Sequence, residues 1–216
     1  MQEQGPINIL ALGASITAGY YNNGLEYHPY SIKLSSLLSN FNNKQALYHV
    51  EPFGVNGERT DQMKLRLGQI LNYYLPGTYQ GIIIIGGTND LPACTSDVTI
   101  GNLISMYEQG LMNDHFKFVV ACSIPSSALD LKSQTENSVL MKEYSKKKSE
   151  VNYAIREYVE KSRNSKLIFV DLMEELNYCK CTDEERNRYW DDPLHFTPEG
   201  YDRIADILFE KLKNFL

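Results

Sequence analysis

Ser15 stands two residues after the closing glycine of the apolar run Ile9-Leu10-Ala11-Leu12-Gly13, in a turn of small residues. An α/β protein presents a reactive side chain in this way, at the carboxyl end of a strand. A serine hydroxyl is a weak nucleophile, so chemistry at Ser15 requires a base, and the base requires a group to orient it. Far along the chain, Asp192 and His195 are three residues apart and lie just ahead of a helical pattern. Within one turn the carboxylate can hold imidazole Nδ1 while Nε2 is directed at Ser15. Asp191 is a neighbouring carboxylate that could also reach His195, although the spacing favours Asp192. Without chemistry, Ser15 or Thr17 would cap the next helix and His195 would bond to backbone at a helix start.

Two more positions fit the same site. Gly57 sits just ahead of the residues Met63, Leu67, Ile70, Leu71 and Tyr74, which recur at helical spacing with Thr60 as the expected cap. Backbone N–H groups at such a place are available to a negative oxygen. Asn89 and Asp90 form a polar pair just past Gly81-Ile82-Ile83-Ile84-Ile85-Gly86, the most continuous β-branched run in the chain. A run without alternation is buried on both faces, as in a central parallel strand.

The elements that must position these residues alternate. Strands are expected over 7–12, 45–53, 81–86, 116–123 and 166–170, with helices ending near Phe41, starting near Thr60, and spanning 100–111 and 140–162. A last helix is capped by Thr197, opens with Pro198, and carries Tyr201, Ile204, Ala205, Leu208, Phe209 and Leu212 on one face. Repeated βαβ units imply a parallel sheet covered on both sides, hence a three-layer α/β fold with five strands. If the strand order is 2-1-3-4-5, Ser15, Gly57 and Asn89 follow three neighbouring strands and line one crevice. The 124–138 segment, without periodicity and rich in Ser and Asp, is expected to be a substrate-side loop, and 177–190 a polar irregular stretch. Lys146-Lys147-Lys148 is expected to be a solvated helix face. No linker or repeat interrupts the chain, so 1–216 is expected to be one domain.

Composition excludes other classes. A formal charge of −6 argues against nucleic-acid binding, which needs a basic footprint. No apolar stretch approaches the roughly 20 residues of a membrane helix, and the start Met1-Gln2-Glu3-Gln4-Gly5-Pro6 has no basic segment before its apolar run. A cytoplasmic protein without stable membrane insertion is expected. Cys94, Cys122, Cys179 and Cys181 show no disulfide framework, and Cys179-Lys180-Cys181 has no second ligand pair to close a zinc site, so neither metal nor cofactor is expected. Tyr20, Tyr21, Tyr27, Tyr30 and Trp190 are aromatics near the site that could wall an acyl pocket or simply pack, while His28, His49 and His115 have no motif partner.

Four segments in order, Gly13-Ala14-Ser15-Ile16-Thr17, Gly54-Val55-Asn56-Gly57-Glu58-Arg59-Thr60, Gly87-Thr88-Asn89-Asp90 and Asp192-Pro193-Leu194-His195, resemble the signature blocks of the SGNH hydrolases, the GDSL-type esterases and lipases. The resemblance spans nearly the whole chain. It implies a flavodoxin-like SGNH hydrolase fold and a serine hydrolase acting on small-molecule or lipid esters without a cofactor. It also implies Ser15 as nucleophile, His195 as general base and acid, Asp192 as the group orienting it, and an oxyanion hole of Ser15 N–H, Gly57 N–H and the Asn89 amide. The chain departs from the pattern at Ala14, where the usual motif has aspartate. The competing function is a non-catalytic flavodoxin-like module that cradles a phosphate or nucleotide in the Gly13 to Gly19 turn. That turn has neither a Gly-Lys-Ser/Thr ending nor the spaced glycines of a dinucleotide fingerprint.

Overall fold

The computed structural model describes residues 5–41 and 46–215. Five parallel strands form the main sheet: β1 (Ile7–Gly13), β4 (Tyr48–Gly54), β5 (Gly81–Ile85), β6 (Phe118–Cys122) and β7 (Leu167–Val170). Two short strands, β2 (Tyr20–Tyr21) and β3 (Glu26–Tyr27), make a separate antiparallel hairpin. The sheet runs β4-β1-β5-β6-β7. Counted among its own five strands, this is the expected order 2-1-3-4-5.

Strand β1 is buried on both faces and sends alternate residues to opposite cores. Ile9 and Ala11 pack with Leu34, Leu38, Ile204 and Leu208, from α2 (Ser31–Asn40) and α9 (Pro198–Leu212). Leu10 and Leu12 pack with Met63, Leu67, Leu103 and Val151, from α3 (Thr60–Tyr73), α4 (Ser96–Leu111) and α6 (Val139–Ser162). Helices therefore cover both faces, and the four isoleucines of β5 are fully sandwiched. In register, Gly13 lies beside Gly54 of β4 and Ile85 of β5, so three strands end level. The remaining helices are short: α1 (Ser15–Ala18), α5 (Ala128–Thr135), α7 (Leu172–Glu175) and α8 (Asp183–Tyr189). Among the described residues no helix is long and apolar enough to cross a membrane.

The structure corrects several expectations. The 124–138 segment is not a loop throughout. It contains α5, whose start is bound by Asp130 accepting from the Ser127 N–H at 2.8 Å and from the Ser127 hydroxyl at 3.3 Å. An eight-residue helix is too short for a periodic signal, and the serine and aspartate three apart were its only local mark. The same applies to α8, inside the stretch expected to be irregular, where Thr182 accepts from the Glu185 N–H at 3.2 Å. Helix α4 begins at Ser96, ahead of the expected position 100. Thr60 is the first residue of α3 rather than its cap, a place taken by Arg59. The expected second strand begins at Tyr48; its first expected residue, Gln45, and the start Met1-Gln2-Glu3-Gln4 lie outside the described residues.

The lysine run is only partly a solvated face. Lys146 is exposed, but Lys148 is 1% exposed and its Nζ donates to Asp130 at 2.7 Å and to the Pro125 carbonyl at 3.0 Å. Burial pushes the Lys148 ammonium below its ordinary value and Asp130 opposes that. Three lysines in succession on a helix point in three directions, so one of them faces α5. Lys148→Met leaves Asp130 buried without its cation and is expected to lower stability by about 3–5 kcal/mol. The midpoint of urea unfolding checks this, and the double variant Lys148→Met/Asp130→Asn is expected to be less unstable than the single one.

Candidate active site

The Ser15 turn exists because β1 ends against its neighbours with no room for side chains. A Cβ on Gly13 would meet Thr17 Oγ1 at 2.0 Å and the Ile85 carbonyl oxygen at 2.6 Å. A Cβ on Gly54 would meet the Ala18 nitrogen at 2.2 Å, so α1 lies directly on the end of β4. Ala14 precedes the helix and its carbonyl accepts from the Ala18 N–H at 3.0 Å, without any side-chain bond. Ser15 is thus the first residue of α1, where its N–H has no helical acceptor.

Opposite Ser15 lies the loop between α8 and α9. Its neck is the bridge of Trp190 with Phe196, and the Asp191 N–H donates to the His195 carbonyl at 3.0 Å. Asp192 Oδ1 accepts from the backbone N–H groups of Leu194 and His195, both at 2.7 Å. Its Oδ2 is 2.7 Å from His195 Nδ1, and His195 Nε2 is 2.9 Å from Ser15 Oγ. The three side chains that the sequence singled out are therefore in contact, in the sense expected. Asp191 is committed elsewhere: its Oδ2 accepts from the Asn22 N–H at 2.8 Å and holds the β2–β3 hairpin.

Burial pushes the Asp192 carboxyl up, but the His195 N–H, the His195 ring and the Leu194 N–H outweigh it and hold the group below its ordinary value. A carboxyl lowered by folding contributes stability above its unfolded value, roughly pH 4, and loses it as pH falls through the folded value. The stability difference between the wild type and Asp192→Asn is expected to be full near neutrality and to shrink below about pH 4, measured by denaturation at stepped pH.

Gly57 and Asn89 border the same strand ends. The Val55 N–H donates to the Gly13 carbonyl at 3.2 Å, which brings the 55–58 turn against the Ser15 turn. Gly57 has φ +74°, the left-handed region where glycine carries no penalty, and it is exposed. Asn89 Nδ2 donates to the Glu58 carbonyl at 2.9 Å, and an amide has a second N–H to offer. Asp90 is fully buried and serves the frame. It accepts from the Thr60 N–H at 3.0 Å and the Thr60 hydroxyl at 2.5 Å, capping α3 from another strand end. Burial pushes its carboxyl up in spite of those donors.

Of the aromatics singled out, Tyr30 and Trp190 are core residues. Tyr20 is different: its ring centroid is 4.4 Å from that of His195, and its carbonyl accepts from the Tyr201 hydroxyl at 2.7 Å. Tyr27 packs edge-on against Tyr20, is half exposed, and its hydroxyl accepts from Asn56 Nδ2 at 2.7 Å. Tyr21 bonds Glu26 across the hairpin. No spacing in the sequence marks Tyr20 as the residue lying over His195, because the contact is made across the fold. His28 pairs with Asp202 at 2.9 Å, while His49 and His115 are exposed. The four cysteines are free, and no group of three or more His, Cys, Asp or Glu among the described residues could hold a metal ion.

Ser15, His195 and Asp192 form a chain along which a proton can leave the hydroxyl while the carboxylate steadies the imidazolium. Residues 11–203 match the model of the GDSL-like lipase/acylhydrolase family. A comparison with curated protein sequences found no match. Among solved structures, the chain is similar to a lipase/acylhydrolase from Enterococcus faecalis, with TM-score 0.67 and 20% identity, 96% of each chain being covered. It is also similar to Est24, a carbohydrate acetylesterase from Sinorhizobium meliloti, with TM-score 0.70 and 18% identity over 97% of this chain and 100% of that one. An inhibitor-bound aryl esterase of M. smegmatis matches at the same TM-score of 0.70, identity of 18% and coverages of 97% and 100%.

Proposed function

Because the chain belongs to the GDSL-like lipase/acylhydrolase family, we propose that it cleaves carboxylic esters through an acyl-enzyme on Ser15. The observation that carries this is the contact of Ser15 Oγ with His195 Nε2 at 2.9 Å, continued by His195 Nδ1 to Asp192 at 2.7 Å. His195 takes the Ser15 proton as Oγ attacks the ester carbonyl. The proton is then given to the departing alkoxide, leaving the acyl group on Ser15. Water, deprotonated by the same imidazole, attacks the acyl carbonyl and releases the carboxylic acid and free serine. Asp192 keeps Nδ1 protonated, so that Nε2 has its lone pair toward Ser15.

In each half-reaction the carbonyl oxygen becomes negative, and we assign the Ser15 N–H, the Gly57 N–H and the Asn89 amide as its donors. Fixed donors aimed at the charge as it develops accelerate acyl transfer more than they aid substrate binding. Asn89→Ala is expected to lower kcat by about 10²- to 10³-fold with little change in KM. Steady-state kinetics on a short p-nitrophenyl ester checks it; an unchanged kcat would remove Asn89 from the oxyanion hole. The substrate is taken to be a small-molecule or lipid ester, and residues 1–216 to act as one hydrolase domain, in keeping with a single five-stranded sheet that has α2 and α9 on one face and α3, α4 and α6 on the other.

Labelling with a fluorophosphonate, followed by mass spectrometry of the modified peptide, tests the mechanism. Modification at Ser15 that depends on His195 supports it, and no label at Ser15 sinks it.

A further inference from the structure

Arg66, on α3, has a planar fork of donors and spends it on three separate segments. Its Nη2 donates to the Gly13 carbonyl at 3.0 Å and its Nη1 to the Phe53 carbonyl at 3.0 Å. Its Nε lies 2.9 and 3.1 Å from the two Glu58 carboxylate oxygens, and Nη2 also bonds Glu58. The Glu58 side chain is 7% exposed and that of Arg66 18%, so the pair is held largely out of water. None of the roles assigned to Ser15, His195, Asp192, Gly57 or Asn89 uses either residue.

The acceptors are informative because of what they adjoin. Gly13 lies two residues before Ser15, and its carbonyl also receives the Val55 N–H. Phe53 and Gly54 end β4, against which α1 packs. Glu58 follows Gly57, and its own carbonyl receives the Asn89 amide. One guanidinium thus touches, directly or through Glu58, the segment that carries each proposed oxyanion donor. Ala14 adds no side-chain bond to its turn, so the turn is held from outside, by Arg66 and Val55 on the Gly13 carbonyl.

We infer that Arg66 and Glu58 are positioning residues that set the Ser15, Gly57 and Asn89 donors in register with one another for the oxyanion. The inference rests on the serine esterase mechanism proposed above. Such donors act only when fixed in advance at the place where charge develops. Loosening them is therefore felt in the transition state rather than in substrate binding.

The test compares Arg66→Met, Arg66→Lys and Glu58→Gln with the wild type in two measurements. One is hydrolysis of p-nitrophenyl acetate, and the other is inhibition by a short alkyl trifluoromethyl ketone, whose adduct with Ser15 bears an oxyanion. The expected result is a fall of about 10- to 100-fold in kcat for Arg66→Met and Glu58→Gln, with KM within about threefold. The inhibition constant of the ketone is expected to rise by the same factor. Arg66→Lys, which keeps the charge but not the fork, is expected to fall between.

Wild-type kcat in both Arg66→Met and Glu58→Gln overturns the inference. So does a lower kcat with unchanged ketone affinity, since a general loosening would not track the oxyanion. If Arg66→Met does not fold, Glu58→Gln decides alone, because it leaves the bonds of Arg66 to Gly13 and Phe53 in place. Ser15→Ala run in parallel separates the two levels: turnover that survives it removes the esterase mechanism, whereas Ser15-dependent turnover indifferent to Glu58 and Arg66 removes only the positioning role.

Discussion

Replacing Ser15 or His195 by alanine is expected to lower kcat on a short p-nitrophenyl ester by about four to six orders of magnitude. The size follows from how the two residues share one step. Ser15 Oγ can attack only as its proton leaves, and the proton has its acceptor 2.9 Å away on Nε2. Without the imidazole the hydroxyl is a poor nucleophile, and without the hydroxyl the imidazole has nothing to activate. For this reason the double variant is expected to be no worse than either single one, as with groups that act as a unit. Residual turnover by the variants is expected to come from the oxyanion donors and binding alone. Purified variants must be free of contaminating esterase, which a matched fluorophosphonate control reveals. Turnover undiminished in both would refute the mechanism.

The second large effect concerns the two adjacent aspartates. Asp192→Asn is expected to cost about 10⁴-fold in kcat, and Asp191→Asn no more than about threefold. In Asp192→Asn the new carbonyl oxygen can still accept the Leu194 and His195 N–H groups that Oδ1 now receives at 2.7 Å, so the loop keeps its shape. The amide nitrogen then faces His195 Nδ1 and donates to it. His195 must carry its proton on Nε2, the wrong side to accept one from Ser15. Asp191 binds the Asn22 N–H, outside that chain, so its loss disturbs the hairpin and not the tautomer. Kinetics on both variants decide it. Equal losses would show that either carboxylate can serve, and a greater loss for Asp191→Asn would transfer the role to it.

Local patterns made much of this legible. The continuous β-branched run of β5 could only be a central strand, and Thr197 followed by Pro198 marks the start of α9 because threonine caps and proline fits the first helical turn. Ser15, Asp192 and His195 stand out as candidates because Ser15 follows a strand within two residues and the other two share one short segment just ahead of α9. What periodicity could not see was short or sideways. Helices α5 and α8 are too brief to show a face, and Lys148 looks like its neighbours until α5 is laid against α6.

By itself, the sequence determined the alternation of strands and helices and which residues are candidates for the chemistry, since these depend on neighbours a few positions away. Tertiary structure alone decided that Asp191 is engaged by the Asn22 N–H of the hairpin, that Tyr20 lies over the imidazole, and that Arg66 grips Gly13, Phe53 and Glu58 at once. Those contacts join residues up to 175 positions apart. They exist because parallel strands ending level bring distant loops to one edge, where a difference of one residue sets which oxygen meets which proton.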